Sequence, residues 1–107
     1  MVPKEIMNRR EKMLRVIVKK RIRENSYDQL IGLYEELVMR SREEEGCISY
    51  EICSHVDDPQ LIAIIEEWTD REVLDEHMKT EHFKRLVPII DGYTEEQISF
   101  DIYNVMI

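Results

Sequence analysis

The sequence predicts an α+β domain in which strands and helices follow the order β-α-β-β-α-β. Three observations carry that prediction. Apolar residues alternate with a period of two in four separate stretches. Two other stretches, placed between them, follow the helical rule i, i+3, i+4, i+7. Both helical stretches open on residues that cap free N–H groups. A chain of 107 residues has room for one such core and no second.

Residues 1–12 are charged and lack apolar periodicity, so they read as an extension outside a domain spanning 13–107. The first strand runs from Met13 to Ile22. Leu14, Val16, Val18 and Ile22 share one face, with Arg15, Lys19 and Arg21 on the other beside Ile17. Ser26-Tyr27-Asp28-Gln29 has the form of a capping box and opens the first helix. Its inward stripe is Tyr27, Leu30, Ile31, Tyr34, Leu37, Val38 and Ser41, and Gly46 offers a left-handed stop.

Cys47 to Val56 is the second strand, with Ile48, Tyr50, Ile52 and Val56 on one face. Asp57-Asp58-Pro59-Gln60 turns the chain, and Leu61 to Thr69 returns as the third strand of an antiparallel hairpin. Thr69-Asp70-Arg71-Glu72 is a second capping box, followed by an inward face of Val73, Leu74, His77 and Met78. Thr80 caps a further turn that packs Phe83, Leu86, Val87 and Ile90 inward. Pro88 should kink or end it, and Gly92 stops it. Gln97 to Ile107 is the last strand, with Ile98, Phe100, Ile102 and Met106 on one face. Two helical segments on one face of a four-stranded antiparallel sheet make a ferredoxin-like fold. Ile17, Ala63, Ile65, Tyr103 and Val105 then point away from the helices, toward a face that a second copy of the chain could cover.

Composition narrows the functions. A net charge of −8, with Lys and Arg scattered among more numerous acids, argues against nucleic-acid binding, which needs a basic face to displace counterions. The longest apolar run, Leu61–Ile65, is far short of the ~20 residues of a membrane span. The amino-terminal stretch lacks the apolar core of a secretory signal, so a cytoplasmic protein is expected. Cys47 and Cys53 fall in one strand, roughly 20 Å apart at ~3.3 Å per residue, too far for a disulfide with each other. Nucleotide and hydrolase fingerprints are absent, as is a His-Glu-x-x-His metal motif. His77 and His82 would lie roughly 140° apart on a continuous helix, which makes them poor joint metal ligands, so no metal site is expected.

The segment that carries chemistry runs from Glu66 to Phe83. On the third strand Glu66 and Trp68 alternate onto the helix-facing side with Ile62 and Ile64. A carboxylate there is costly unless it is hydrogen-bonded or wet. His77 projects from the inward face of the next helix. Trp68, Glu66 and His77 are therefore expected to border one apolar cavity between sheet and helices. Each alone reads more readily as an ordinary core residue; their convergence makes the cavity worth proposing.

The pattern Glu66-x-Trp68-x-Asp70, then His77, then His82-Phe83, resembles the antibiotic biosynthesis monooxygenase family. Gly46-Cys47-Ile48-Ser49-Tyr50-Glu51 and Asp58-Pro59 resemble its second strand and hairpin, so the likeness covers about 13–107. It implies a homodimer in which two sheets form an α/β barrel. It also implies oxidation of a quinol or aromatic polyketide-like molecule with O2, without metal, flavin or other cofactor. An electron-rich aromatic substrate, once deprotonated, can itself reduce O2, and the protein supplies an apolar pocket, a base and exclusion of water. By that resemblance Trp68 and His77 are the catalytic pair. Trp68, Glu66, Tyr50, His82 and Phe83 would bind the substrate. The Trp68 strand lacks the Asn that some polyketide-oxidising members carry there, and Val87 and Lys20 stand near the His and Asn positions of haem-degrading relatives. The alternative is a dimeric small-molecule-binding protein or isomerase that reuses the fold without oxygenase chemistry.

Overall fold

A computed structural model describes residues 12–107, so the expected extension, Lys12 apart, lies outside the described residues. Its elements are β1 (Leu14–Ile22), α1 (Tyr27–Arg42), β2 (Cys47–His55), β3 (Asp58–Trp68), α2 (Arg71–His77), α3 (Glu81–Asp91) and β4 (Thr94–Asn104). The four strands form one antiparallel sheet in the order β2-β3-β1-β4, with the helices on one face. This is the ferredoxin-like fold, its second helical half split into α2 and α3.

The alternation of β1 is reproduced. Leu14, Val16, Val18 and Ile22 are buried against the helices, and Arg15 and Lys19 are exposed. Lys20 continues the buried row; its stem lies in the core while its ammonium reaches Asp91 on α3 at 2.9 Å. On β3 the row Ile62, Ile64, Glu66, Trp68 faces inward. From α1 come Leu30, Tyr34, Leu37 and Ser41, and from α3 Leu86 and Ile90. Each fully buried Leu or Ile contributes on the order of 1.5–3 kcal/mol, so the core rests on many similar contributions. Ile17, Ala63 and Ile65 lie half-buried on the opposite face, which carries no helix among the described residues and where Ile17 pairs with Ile65.

Several local expectations are corrected. Ser26 makes no cap bond: its hydroxyl donates to the Arg23 carbonyl at 2.5 Å, and the Gln29 amide can donate to the Ser26 carbonyl at 3.1 Å. In the second helical half the cap is Asp70 rather than Thr69, its carboxylate accepting from Val73 N–H at 3.0 Å. Thr80 caps α3 as expected, accepting from Phe83 N–H at 3.3 Å. Helix α3 runs three residues past Pro88 to Asp91. Tyr27 and Ile31 are exposed rather than inward, because the inward stripe of α1 is narrower than the pattern suggested.

Hairpin β2–β3 is tighter than expected. Asp58 and Pro59 open β3, which leaves Val56 and Asp57 to turn. Pro59 is tolerated near a strand start, where one missing donor matters least. Ile48 and Val56 do not share the buried face of Tyr50. A register shift between Cys47 and Ser49 turns Ile48 outward, and Val56 sits in the turn. Strand β4 lies three residues earlier than expected, because its length is set by pairing with β1 from Ile22↔Thr94 to Leu14↔Asn104. It is an edge strand, so Ile98 and Phe100 stay half exposed, and Met106 lies beyond it.

Candidate functional site

Six residues singled out from the sequence meet at one end of the layer between sheet and helices, and a seventh joins them. The β3 alternation places Glu66 and Trp68 inward, and pairing sets Tyr50 of β2 directly across from Glu66. His77 is the last residue of α2. The short link to α3 is held by the Thr80 hydroxyl donating to the His77 carbonyl at 2.7 Å, and it brings His82 and Phe83 back over His77. Glu44 arrives from the turn after α1, two residues before Gly46.

That turn requires glycine. Gly46 has φ +88, and a Cβ there would lie 2.8 Å from both the Thr69 hydroxyl and a Val73 methyl.

The ring of His77 is 4.5 Å from that of Trp68 between centroids, 5.1 Å edge-on from Phe83 and 5.7 Å from Tyr50. Trp68 is 0% exposed and His77 1%. Nδ1 of His77 and Nε2 of His82 each lie 2.7 Å from the same Glu44 oxygen, Oε2. A carboxylate oxygen accepts, so both imidazoles donate to it. Burial holds His77 below the usual imidazole range, although the Glu44 bond pulls the other way. A neutral ring with its proton on Nδ1 carries a lone pair on Nε2, and Nε2 is buried without a hydrogen-bond partner among the described residues. The arrangement is a proton acceptor oriented by a carboxylate and walled by aromatic rings.

Glu66 is the second titratable group. Its Oε1 accepts from the Trp68 indole N–H at 2.9 Å. Burial pushes its carboxyl up to about 7, against the Trp68 bond, which lowers it. Burial also raises the Tyr50 phenol well above its usual value and pushes the Cys47 thiol up to about 11.

One sequence expectation holds here and one changes. Trp68, Glu66 and His77 do share one space, joined by the indole N–H on Glu66 and by His77 packed between the Trp68 and Phe83 rings. A separate cavity of about 730 Å³ lies between α1 and the β2–β3 hairpin. It is walled by Tyr27, Leu30, Tyr34, Ile52, Pro59 and Ile62, and by none of the seven cluster residues. Secondly, His77 and His82 do converge. The 140° separation assumed one continuous helix, whereas α2 ends at His77 and α3 starts at Glu81. With Glu44 they place three metal-ligating atoms within 4.8 Å of one another. Glu44 itself was not foreseen: it stands in the run Glu43-Glu44-Glu45, and no local pattern separates it from its neighbours.

The family model described as antibiotic biosynthesis monooxygenase matches residues 13–88. The chain belongs to that family. A crystal structure of an antibiotic biosynthesis monooxygenase is 38% identical, covering 84% of this chain and 93% of its own at a TM-score of 0.75. A conserved protein of unknown function from Bacteroides thetaiotaomicron, described as a possible oxidoreductase, is 32% identical with TM-score 0.79, over 87% of this chain and 97% of that one. A conserved protein from Methanosarcina mazei is 26% identical with TM-score 0.86, over 91% and 96%. An uncharacterized protein of Synechocystis is 25% identical over 79% of this chain, a match that spans 58% of that protein's length. The matched region of this antibiotic biosynthesis monooxygenase family member contains all seven clustered residues. No helix among the described residues is long and apolar enough to cross a membrane.

Proposed function

We propose that the protein is a cofactor-independent monooxygenase that oxidises a quinol or aromatic polyketide-like small molecule with O2, as a homodimer. The observation that carries this reading is the buried, unpartnered Nε2 of His77, behind a Nδ1–H fixed on Glu44 at 2.7 Å. In the reading, Nε2 removes a proton from an activated substrate C–H or O–H. The resulting carbanion or phenolate is the reductant for O2. For a methylene between aromatic rings the balance is R2CH2 + O2 → R2CO + H2O: one oxygen atom enters the substrate, the other leaves as water, and the proton returns from His77.

Trp68 supplies an aromatic face, and Glu66, its carboxyl pushed up to about 7 by burial, supplies a hydrogen-bonding group that holds its proton below neutral pH. Reaching Nε2 requires a neighbouring ring to move. Phe83, half-buried on the first turn of α3, is less enclosed than Trp68 or Tyr50. Family membership supports the reaction class. The half-buried apolar residues Ile17, Ala63 and Ile65 on the helix-free face support the homodimer.

The test is O2 uptake with a panel of hydroquinones and anthrone-like substrates, comparing wild type with Trp68→Ala and His77→Ala. Loss of the base should cost about 10²–10⁴-fold in rate. Equal rates in folded variants would remove the proposed roles.

A second reading is favoured by the cavity beside α1, which none of the clustered residues lines. There the protein is a dimeric small-molecule-binding protein or an isomerase. Ligand-induced thermal stabilisation without O2 consumption distinguishes it.

A further inference from the structure

We propose that Glu44, His77 and His82 form a binding site for a divalent first-row transition ion such as Zn2+ or Co2+. The three side chains come from three separate segments: the turn after α1, the end of α2 and the start of α3. Their ligating atoms, Oε2, Nδ1 and Nε2, lie within 4.8 Å of one another. Two imidazoles and one carboxylate suit zinc, cobalt and iron(II), whereas magnesium and calcium take oxygen shells. Three protein ligands leave a fourth position for water or another small ligand.

The present geometry is close to what an ion needs. Donors at about 2.0–2.1 Å from a tetrahedral ion stand about 3.3 Å from one another. Both nitrogens are now 2.7 Å from Oε2, so each gap must open by roughly 0.6 Å. Wedged among Trp68, Phe83 and Tyr50, His77 is held in place, and the movement falls to Glu44 and His82, whose side chains are 15% and 12% exposed. The same exposure gives the ion a route in.

Binding needs no net proton release from two neutral rings: each moves its proton to the nitrogen facing away from the ion. On His77 that proton goes to Nε2, the atom cast above as the base. The ion-bound site is thus incompatible with that base, and bound metal should inhibit any reaction that uses it. The binding itself does not depend on the oxygenase reading.

The experiment uses the full chain, free of any histidine tag and stripped with a chelator, titrated with Co2+ and Zn2+ by calorimetry. The expected result is one ion per chain, a visible ligand-field band with Co2+, and no heat with Mg2+. His82→Ala and Glu44→Ala should weaken binding by about a hundredfold or more, beyond the ~10–100-fold that loss of a mere supporting partner costs. His55→Ala, an exposed histidine on the β2–β3 hairpin, should leave it unchanged. Imidazole ring signals of the wild type cover the case of a variant that does not fold: Zn2+ should move Nδ1 of His77 and Nε2 of His82. No bound ion, equal affinity in His82→Ala, loss in His55→Ala, or unmoved ring signals would each overturn the proposal. Metal binding without inhibition would leave the site standing and count against His77 as the base.

Discussion

Oε2 of Glu44 lies 2.7 Å from Nδ1 of His77, and this contact decides which nitrogen of a buried imidazole carries its proton. Removing it has two separable consequences. In Glu44→Ala the Nδ1–H of His77 loses its acceptor inside the protein, which costs about 1–3 kcal/mol of stability. Chemical denaturation should show that loss, together with a drop in O2 uptake if His77 is the base. His82→Ala keeps the Glu44–His77 bond and should retain more of both. Equal effects from the two variants would mean that Glu44 does not orient His77.

Glu66 gives the stability a pH dependence with a definite sign. Its folded-state pKa of about 7 lies above the ordinary carboxyl value, so the folded chain holds this proton longer than the unfolded chain. The stabilisation is complete below the unfolded pKa and is lost as pH rises to about 7, by roughly 3 kcal/mol. His77 acts in the opposite direction: its lowered pKa makes stability fall as pH drops below the ordinary imidazole value of about 6.5. Melting temperature against pH for wild type minus Glu66→Gln isolates the Glu66 contribution. The difference should tilt toward the variant between about pH 4.5 and 7. A flat difference would show that Glu66 is not held protonated by burial.

Trp68 is fully buried, and its indole N–H is the hydrogen bond that Glu66 receives. Trp68→Ala should cost about 3–5 kcal/mol and threatens the fold. The informative variant is Trp68→Phe, which keeps a ring beside His77 but drops the donor. It should destabilise by about 1–3 kcal/mol above pH 7, where Glu66 most needs its partner, and by less near pH 5. Urea denaturation at the two pH values measures this; equal losses would disconnect the indole N–H from the carboxyl.

The strands and helices were legible because each wears its period openly. Leu14-Val16-Val18 and Ile62-Ile64 leave no other reading once one face is buried. Trp68, Glu66 and His77 were legible as candidates because polar or aromatic side chains on an inward stripe need a reason to be there; Tyr50, His82 and Phe83 entered through the family resemblance. Glu44 was not, since its role depends on the path of a turn. That path is fixed by Gly46 against Thr69 and Val73, a tertiary contact with no local pattern. The convergence of His77 and His82 was hidden for a related reason. Thr80 was visible as a cap, but a cap says that a new helix begins, not in which direction. The cavity beside α1 was missed because Tyr34, Ile52 and Ile62 read as ordinary core; an unfilled gap between core residues leaves no trace in periodicity.

Gly46 offers a direct test of that turn. Its carbonyl accepts from Thr69 N–H at 2.9 Å, and its φ is +88. Gly46→Ala forces a Cβ to within 2.8 Å of Thr69 and Val73 at a backbone angle that L-residues avoid. A loss of about 1–3 kcal/mol is expected. Because Glu44 leads into the turn, the His77 and His82 ring signals should shift as well. Unperturbed ring signals in a destabilised Gly46→Ala would separate the turn from the site.

The helix-free face of the sheet bears on the homodimer. Ile65 sits on β3 between Ile17 of β1 and Glu51 of β2, half-buried on the face away from α1, α2 and α3. In a lone subunit Ile65→Arg replaces one solvent-facing side chain by another, and surface changes of that kind usually stay within about 0.5 kcal/mol. In a dimer packed through this face the same change places two cations near the symmetry axis or against an apolar neighbour, each buried without a partner. Sedimentation should therefore report a dimer for the wild type and a shift toward monomer for Ile65→Arg, with the melting curve of the subunit nearly preserved. A wild-type monomer, or a dimer indifferent to Ile65→Arg, would place any self-association elsewhere. The exposed Ile98 and Phe100 of edge strand β4 would then be the next residues to alter.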